Sequence, residues 1–222
     1  AELALADGCK TAVISAGASG DYAHDRRIIG FTETFEAGGE VLFVSHSADP
    51  SEAVQKTNDY MTAYGDTDCI YATGEDYITH AADVIKSRGI TDCKIYGSNI
   101  SPSVCQLIMD GQVEACTGGE FVCGSLAVTL LINYLDGNPI RDADGTAPYF
   151  DNLTQFMVTA ENAEDFYEFL SDENLATHTI SDEEYQNLLV RNNPDVDYDY
   201  FYDFLTNYEE NVYAKVEANA AQ

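Results

Sequence analysis

The segment that decides the fold is TAVISAGASG, residues 11–20. It is a short apolar run that ends in a glycine-rich turn, and a helical pattern follows from about Tyr22 to Ala37. The same unit recurs along the chain, with further apolar runs at Val41–Val44, Cys69–Ala72 and Cys93–Tyr96. Continuously apolar strands are typical of a sheet that is covered on both faces. Strands that alternate with helices predict a parallel sheet with right-handed crossovers.

Glycines predict where these elements stop. The first helix is expected to end at Gly38-Gly39 with a left-handed cap. Helices are predicted over Ser51–Tyr64, Asp76–Arg88 and roughly Pro102–Asp110, each followed by a glycine, and Gly97 is expected to close the fourth strand. We therefore predict an α/β fold, a three-layer doubly wound sandwich with a mainly parallel sheet.

The pattern changes after Gly111. Val113–Thr117 is predicted to be a fifth strand, Phe121–Leu135 a helix and Gln155–Thr159 a final short strand. The segment between the last two, residues 141–154, is polar and rich in turn-forming residues.

The C-terminal part has a composition of its own. Residues 160–222 hold 16 Asp or Glu and two basic residues, together with seven Tyr and four Phe. Aromatic rings at this density need a surface to pack on. We interpret the segment as two or three helices, one of them near Ile180–Leu189, folded onto the domain. The predicted domains are residues 1–160 and an acidic, aromatic-rich helical extension at residues 161–222.

The chain is strongly acidic, with 39 Asp and Glu against 10 Lys and Arg. Such a surface repels nucleic-acid phosphates and anionic lipids, so neither is expected as a partner. No segment approaches the roughly 20 apolar residues that a membrane-spanning helix needs. The chain opens at Ala1 with neither a signal peptide nor an initiator Met, so we expect it to be cut from a longer protein.

The sequence shows no pattern for catalysis or metal binding. The six cysteines form no Cys-x-x-Cys pair and the four histidines are scattered, which argues against a zinc site. We interpret the cysteines as small buried apolar residues, although a disulfide between Cys69 and Cys93 stays open. Residues 17–20 lack the Lys-Ser/Thr pair of a phosphate loop, and no Gly-x-Ser-x-Gly motif is present. No enzyme activity, cofactor or metal is predicted.

Polar residues that follow the predicted strands mark the candidate ligand site. In doubly wound sheets, ligands lie beyond the carboxyl ends of the strands. The corresponding positions are residues 19–22, 45–47, 73–76 and 98–101.

Short motifs follow one another in a recognisable order. They are Arg27–Phe31, Asp49–Ala53, Ile70–Asp76, Lys94–Asn99, Leu107–Gln112, Leu131–Ile140 and Val158–Asn162. In this order the chain resembles the C-terminal half of the type I periplasmic sugar-binding proteins. This is the ribose- and galactose-binding group, whose ligand core is shared with LacI-type repressors. The resemblance implies a ligand held between two lobes that close by a hinge motion.

The resemblance assigns ligand roles to two polar residues. An arginine at the position of Arg27 reaches a sugar hydroxyl or ring oxygen, which suits the rigid fork of guanidinium donors. The alternative for Arg27 is an exposed helix arginine that pairs with Asp21 or Asp25. Asn99 stands where the family usually has a ligand Asp, and its amide both donates and accepts hydrogen bonds.

Other positions depart from the family. Gly74-Glu75 replaces the usual Asn-Asp pair, so Glu75 and Asp76 are either ligand contacts or carboxylates that stabilise a helix start. Tyr22 either stacks on an apolar sugar face or belongs to the core. Gly118-Gly119-Glu120 replaces a Gln or Asp of the family. These departures predict a different ligand or a loss of ligand binding.

The leading functional prediction is an extracytoplasmic solute-binding protein, periplasmic or anchored as a cell-surface lipoprotein, that delivers a sugar-like ligand to an ABC permease. The alternative is the ligand-sensing module of a repressor or a chemosensory receptor. An enzyme on a flavodoxin-like sheet is the least supported hypothesis. In the family, the helix that matches Phe121–Leu135 packs on the first lobe, which would precede residue 1. Without that missing first lobe, its apolar surface is expected to pack on the C-terminal extension, to pack on a second copy of the chain, or to rearrange. We therefore expect the chain to self-associate.

Overall fold

The computed structural model describes residues 1–120, 122–171 and 179–221. The chain forms two compact units, Ala1–Thr117 with Met157–Glu164 and Gly118–Phe156 with Asp165–Gln222. The sequence-based domain boundary between residues 160 and 161 differs from this division and stays a prediction. Within the described ranges, every helix is too short or too polar to cross a membrane.

A mainly parallel sheet, most of which belongs to the first unit, organises the fold. Its strands are β1 (Thr11–Ala16), β2 (Glu40–His46), β3 (Cys69–Ala72), β4 (Lys94–Ser98), β5 (Ala115–Gly118) and β6 (Phe156–Thr159). They lie in the order β2-β1-β3-β4-β5-β6. The ladders that join β2 to β1, β1 to β3, β3 to β4 and β4 to β5 are parallel.

Helices precede and connect the first five strands. They are α1 (Glu2–Ala6), α2 (Tyr22–Phe35), α3 (Ala53–Ala63), α4 (Glu75–Arg88) and α5 (Pro102–Met109), with a 3-10 turn at Pro50–Glu52 before α3. Asp21 and Ser101 cap α2 and α5 through side-chain hydrogen bonds to backbone amides. Gly89 ends α4 in the left-handed conformation, with φ 65°. The predicted α/β doubly wound fold is confirmed.

Both faces of β1 are buried, which explains its continuous apolar sequence. Ile14 packs in a cluster with Phe31 and Phe35 of α2. Val13, whose side chain points to the other face, is completely buried as well. The rings of Phe35, Phe31 and Tyr71 form a stack, with successive centroids 5.2 Å and 4.4 Å apart. This stack ties α2 to β3 across one face of the sheet.

Two glycine predictions are wrong, because both glycines serve close packing instead. Helix α2 ends at Phe35, and neither Gly38 nor Gly39 adopts a positive φ. A Cβ at Gly39 would lie 2.5 Å from the Phe35 ring. Gly97 lies inside β4, where a Cβ would lie 2.3 Å from Ile78 of α4. A strand glycine of this kind marks the close approach of a neighbour rather than the end of the strand.

The second unit is mainly helical. Its helices are α6 (Val122–Leu135), α7 (Ala163–Ser171, of which the first two residues belong to the first unit), α8 (Asp182–Asn187), α9 (Tyr198–Thr206) and α10 (Tyr208–Ala220). The predicted helical character of the C-terminal extension is confirmed. The start of the predicted helix at Phe121 lies outside the described residues.

Aromatic rings form the core of this second unit. Phe156 stacks on Phe166 with centroids 5.0 Å apart, and Tyr213 meets Phe166 edge-on at 5.9 Å and 83°. Phe150 stacks on Tyr198 with centroids 4.9 Å apart. The rings of the acidic extension therefore pack against each other and against residues that precede it, as their density in the sequence suggests.

Polar contacts fasten the helices of this unit. Asn133 of α6 is completely buried; its Nδ2 donates to the Leu188 carbonyl and its Oδ1 accepts from the Val190 amide, both at 2.9 Å. Because both halves of the amide are used, α6 is fixed in register with the segment that follows α8. Lys215 of α10 pairs with Glu184 of α8.

One face of α6 is apolar and open to solvent. Val128, Leu131, Tyr134 and Leu135 are 56%, 54%, 59% and 72% exposed. Their spacing of three and four residues places them on one side of the helix. A contiguous apolar surface of this kind marks a site of interaction.

We expect the chain to self-associate through this face of α6. Leu131→Glu combined with Leu135→Glu should shift the chain toward a monomer, because the new carboxylates repel each other and remove apolar contact. Light scattering after size-exclusion chromatography measures this, with Tyr149→Glu, exposed but outside α6, as the control. A clean monomer near 24.3 kDa for the unmodified chain would contradict the expectation.

Candidate ligand-binding site

The candidate site lies at the carboxyl ends of β1 and β3. From β1 the chain crosses to β2 on one side, whereas β3 pairs with β1 on the other side. The connections that leave these neighbouring strands diverge, which opens a crevice at the point where α/β sheets bind their ligands. Gly17 follows β1, Thr73 follows β3 and Asn99 follows β4.

Arg27 of α2 spans this edge of the sheet. Its Nη1 donates to the Thr73 carbonyl at 2.8 Å, and its Nη2 donates to Oδ1 of Asn99 at 2.8 Å. The side chain is half-buried, and the planar fork of its guanidinium is held between the ends of β3 and β4. The structure thus brings together two of the predicted site residues, Arg27 and Asn99. Their contact with a ligand stays a prediction.

Asn99 has an unusual backbone. Its φ is 77°, and among the non-glycine residues that the structure describes it is alone in having a positive φ. Asparagine tolerates this left-handed conformation better than most residues. The amide of Asn99 donates to the Thr117 carbonyl at 2.9 Å. These two constraints aim the Asn99 side chain at Arg27.

Glu75 joins the starts of two helices. It is the first residue of α4, is half-buried, and accepts a hydrogen bond from the hydroxyl of Ser101. The same hydroxyl oxygen accepts from the amide of Val104 at 3.2 Å and so caps α5. One oxygen of the Glu75 carboxylate is therefore occupied by a hydrogen bond that links the starts of α4 and α5.

Tyr22 and Asp76 lie at the periphery of the site. Tyr22 is 74% exposed, which rules out the alternative that it is a core aromatic. Asp76 is an exposed residue in the first turn of α4. Neither side chain is enclosed by the neighbours that hold Arg27 and Asn99.

Two of the four histidines, which are scattered in the sequence, lie at this edge. Nδ1 of His24 is 2.7 Å from Oγ1 of Thr73, and its ring meets Tyr77 edge-on at 5.7 Å. Nδ1 of His46 lies 3.0 Å from the Gly17 carbonyl, so this nitrogen carries the proton and donates. His24 precedes Arg27 by three residues, a spacing that places both on one face of α2. That spacing is the signal that could have found His24.

Burial lowers the pKa of His24, although the charge of Asp21 opposes this effect. The folded chain therefore favours the neutral imidazole. This contribution to stability is complete above the pKa of an unfolded histidine, and it is lost as the pH falls from there through the lower, folded pKa.

Hydrogen bonding is the chemistry that this edge offers. It presents a guanidinium, an amide, two imidazoles and several hydroxyls. Within residues 1–120, 122–171 and 179–221, no group of three or more His, Cys, Asp or Glu side chains is placed to hold a metal ion. Mixed donors and acceptors of this kind match a small ligand that carries several hydroxyl groups.

A doubly wound domain whose polar groups converge at the carboxyl ends of its strands has the architecture of a ligand-binding lobe. The family model described as "Periplasmic binding protein domain" matches residues 2–139 of the chain. The chain belongs to this family. The resemblance to its type I sugar-binding members, expected from the motifs, is confirmed. No curated protein matches the sequence.

Solved structures of sugar-binding proteins share the fold. AraP, an arabinose-binding protein from Geobacillus stearothermophilus, is 20% identical with a TM-score of 0.63, and the match covers 75% of this chain and 60% of AraP. The arabinose-binding protein from Shewanella sp. ANA-3 is 18% identical with a TM-score of 0.67, over 79% and 59% of the two chains. A solute-binding protein from Bacillus halodurans with bound myo-inositol is 20% identical with a TM-score of 0.62, over 75% and 57%. The chain thus spans about 60% of the length of the proteins it matches.

Gly17→Ala should disturb the seat of His24. A Cβ at residue 17 would lie 2.3 Å from Cδ2 of the imidazole, so the ring must move and lose its contact with Thr73. We expect the free energy of unfolding to fall by about 1 kcal/mol, the size of one hydrogen bond, in urea titrations followed by circular dichroism.

Gly30→Ala is the matched control, because a Cβ there meets no atom within 4 Å. It should leave stability unchanged or raise it by up to about 1 kcal/mol, since alanine favours a helix. Equal stability of Gly17→Ala and the unmodified chain, with unchanged NMR signals from His24, would show that the imidazole does not rest on Gly17.

Proposed function

We propose that this chain is the ligand-binding part of an extracytoplasmic solute-binding protein of an ABC importer. Its ligand is a small polar molecule such as a sugar. The observation that carries the proposal is the Arg27 guanidinium, anchored by Thr73 and Asn99 at the strand ends of a periplasmic binding protein domain. Because protein acceptors already hold the guanidinium, its orientation is set before a ligand arrives, which reduces the entropy lost on binding.

The family and the related structures support the choice of ligand. The similar proteins bind or transport arabinose, myo-inositol, allose and ribose. Membership of the family favours an extracytoplasmic location and a binding role rather than an enzymatic one. Docking to a permease and anchoring through a lipid complete the proposal.

A single lobe is expected to bind weakly. If a closed two-lobed cleft binds with a micromolar dissociation constant, near −8 kcal/mol, about half of the contacts leaves a dissociation constant in roughly the millimolar range. The ligand concentrations in a binding experiment must be chosen accordingly.

The second candidate is a ligand-sensing module of a repressor or a chemosensory receptor with the same core. The net charge of −29 disfavours binding to DNA, and this favours the importer component over the repressor. A DNA-binding helix-turn-helix encoded upstream would identify a repressor, whereas an export signal with a lipid-attachment cysteine would identify the importer component.

Titration of the chain with pentoses, hexoses, polyols and nucleosides tests the proposal. We expect at least one neutral sugar or polyol to bind, as seen by NMR chemical-shift changes or by a rise in Tm. Arg27→Ala should weaken that binding by about tenfold or more, because a hydrogen bond from a charged donor contributes roughly 1.5–3 kcal/mol.

Arg26→Ala is the matched control, because Arg26 is the exposed neighbour of Arg27 on the same helix. It should leave the affinity unchanged. Absence of binding across the panel up to about 0.1 M ligand, far above a millimolar dissociation constant, would overturn the proposal that the chain binds a sugar-like ligand. An equal loss of affinity in both variants would show that the positive charge of α2 governs binding, and not the hydrogen-bonded position of Arg27.

A further inference from the structure

His24 packs between the residues that follow two strands, β1 and β3, and a tyrosine of α4. Its Nδ1 is 2.7 Å from Oγ1 of Thr73, and its ring rests against Tyr77 at 5.7 Å and 87°. Arg27, one turn later on α2, donates to the carbonyl of the same Thr73. His24 and Arg27 are thus held side by side by two different atoms of one buried residue.

Two glycines leave the space that the imidazole occupies. A Cβ at Gly17 would lie 2.3 Å from Cδ2 and 2.4 Å from Nε2 of His24, and a Cβ at Gly74 would lie 3.6 Å from its Cε1. Gly17 follows β1 and Gly74 follows β3, so the ring lies at the crevice where the connections of the sheet diverge. A side chain that only extended α2 into solvent would not require this room.

The second ring nitrogen of His24 is available. Nδ1 faces Thr73, whereas Nε2 makes no hydrogen bond within the described part of the chain. A neutral imidazole has one donor and one acceptor nitrogen. A ligand hydroxyl both donates and accepts, so it can pair with Nε2 in either tautomer.

We propose that His24 is a ligand contact and a determinant of specificity, whose Nε2 pairs with a hydroxyl of a neutral sugar or polyol bound beside Arg27. This inference rests on the proposed function and adds a residue that the resemblance to the family does not assign. A neutral imidazole accommodates an uncharged hydroxyl without the cost of burying a charge.

The surroundings of His24 set how binding responds to pH. Asp21, Asp25 and Arg27 act on the imidazole from α2, and burial, the largest effect, lowers its pKa. Thr73 and Tyr77 face it from the end of β3 and from α4. On the side of β2, Nδ1 of His46 donates a hydrogen bond to the carbonyl of Gly17. A bound ligand removes more water from the imidazole, so it should lower this pKa further, and affinity should fall as the pH drops through the titration of His24.

The test combines NMR of the imidazole nitrogens with binding to L-arabinose, D-ribose and myo-inositol. For the full chain we expect saturation with the best of these probes to shift the Nε2 resonance of His24 and to lower the pKa of His24. A purely structural histidine would show neither effect. In His24→Ala the affinity should fall by about three- to tenfold, the range expected for one neutral hydrogen bond. The pH dependence between about 5 and 7, around the pKa of an ordinary histidine, should flatten.

His24→Gln is the second variant, to be used if His24→Ala does not fold, because glutamine retains a hydrogen-bond donor and an acceptor. His80→Gln, a change to a histidine of α4 outside the site, should bind as the unmodified chain does. Unchanged affinity in a folded His24→Ala, or an Nε2 resonance that saturating ligand does not move, overturns this inference and leaves the proposed function standing. If the unmodified chain binds none of the probes nor any other compound of the panel, the proposed function fails and this inference fails with it.

Discussion

The burial of β1 on both faces is the constraint on which the rest of the structure depends. A strand without access to water must pair its backbone amides and carbonyls with neighbouring strands. β1 satisfies this requirement with β2 on one side and β3 on the other. Helices must then cover both faces, and the connections after β1 and β3 must separate. The crevice that holds Arg27 and His24 is therefore a consequence of how the backbone amides and carbonyls of one short apolar strand find their hydrogen-bond partners.

The sequence predicts the sheet well because its signal is local. Cys69–Ala72 is a strand with the predicted bounds, and the apolar run that opens residues 11–20 forms the strand Thr11–Ala16, since a short apolar run that ends in a turn has few alternatives. The predictions for Gly39 and Gly97 are wrong because the role of each glycine is set by a side chain of a neighbouring element, Phe35 and Ile78 respectively. The division of the chain into two units depends on which helices the aromatic rings of the C-terminal segment contact, and the sequence alone does not show those contacts.

The residues of the candidate site also fall into two groups, those that the sequence predicts and those whose contacts only the packed structure shows. Arg27 and Asn99 could be named because they stand at motif positions, and the structure joins them at 2.8 Å. Glu75 was named too, but its bond to Ser101 could not be foreseen because it depends on how two helix starts meet. His24 carries no motif, and its three-residue spacing from Arg27 is its one sequence signal; the space beside Gly17 that its ring occupies is visible only in the packed structure. Local patterns find residues at strand ends, whereas the seat of a side chain is a property of several elements together.

Thr73 serves two neighbours in chemically different ways, and this has an evolutionary consequence. Its hydroxyl meets His24, and its carbonyl accepts from Arg27. Every amino acid has a carbonyl, so Arg27 does not depend on which residue occupies position 73. His24 does depend on it, because few side chains supply a hydroxyl at that point. Across descendants of a common ancestor, positions 24 and 73 should therefore change together, whereas the residue at position 27 should not vary with the residue at position 73.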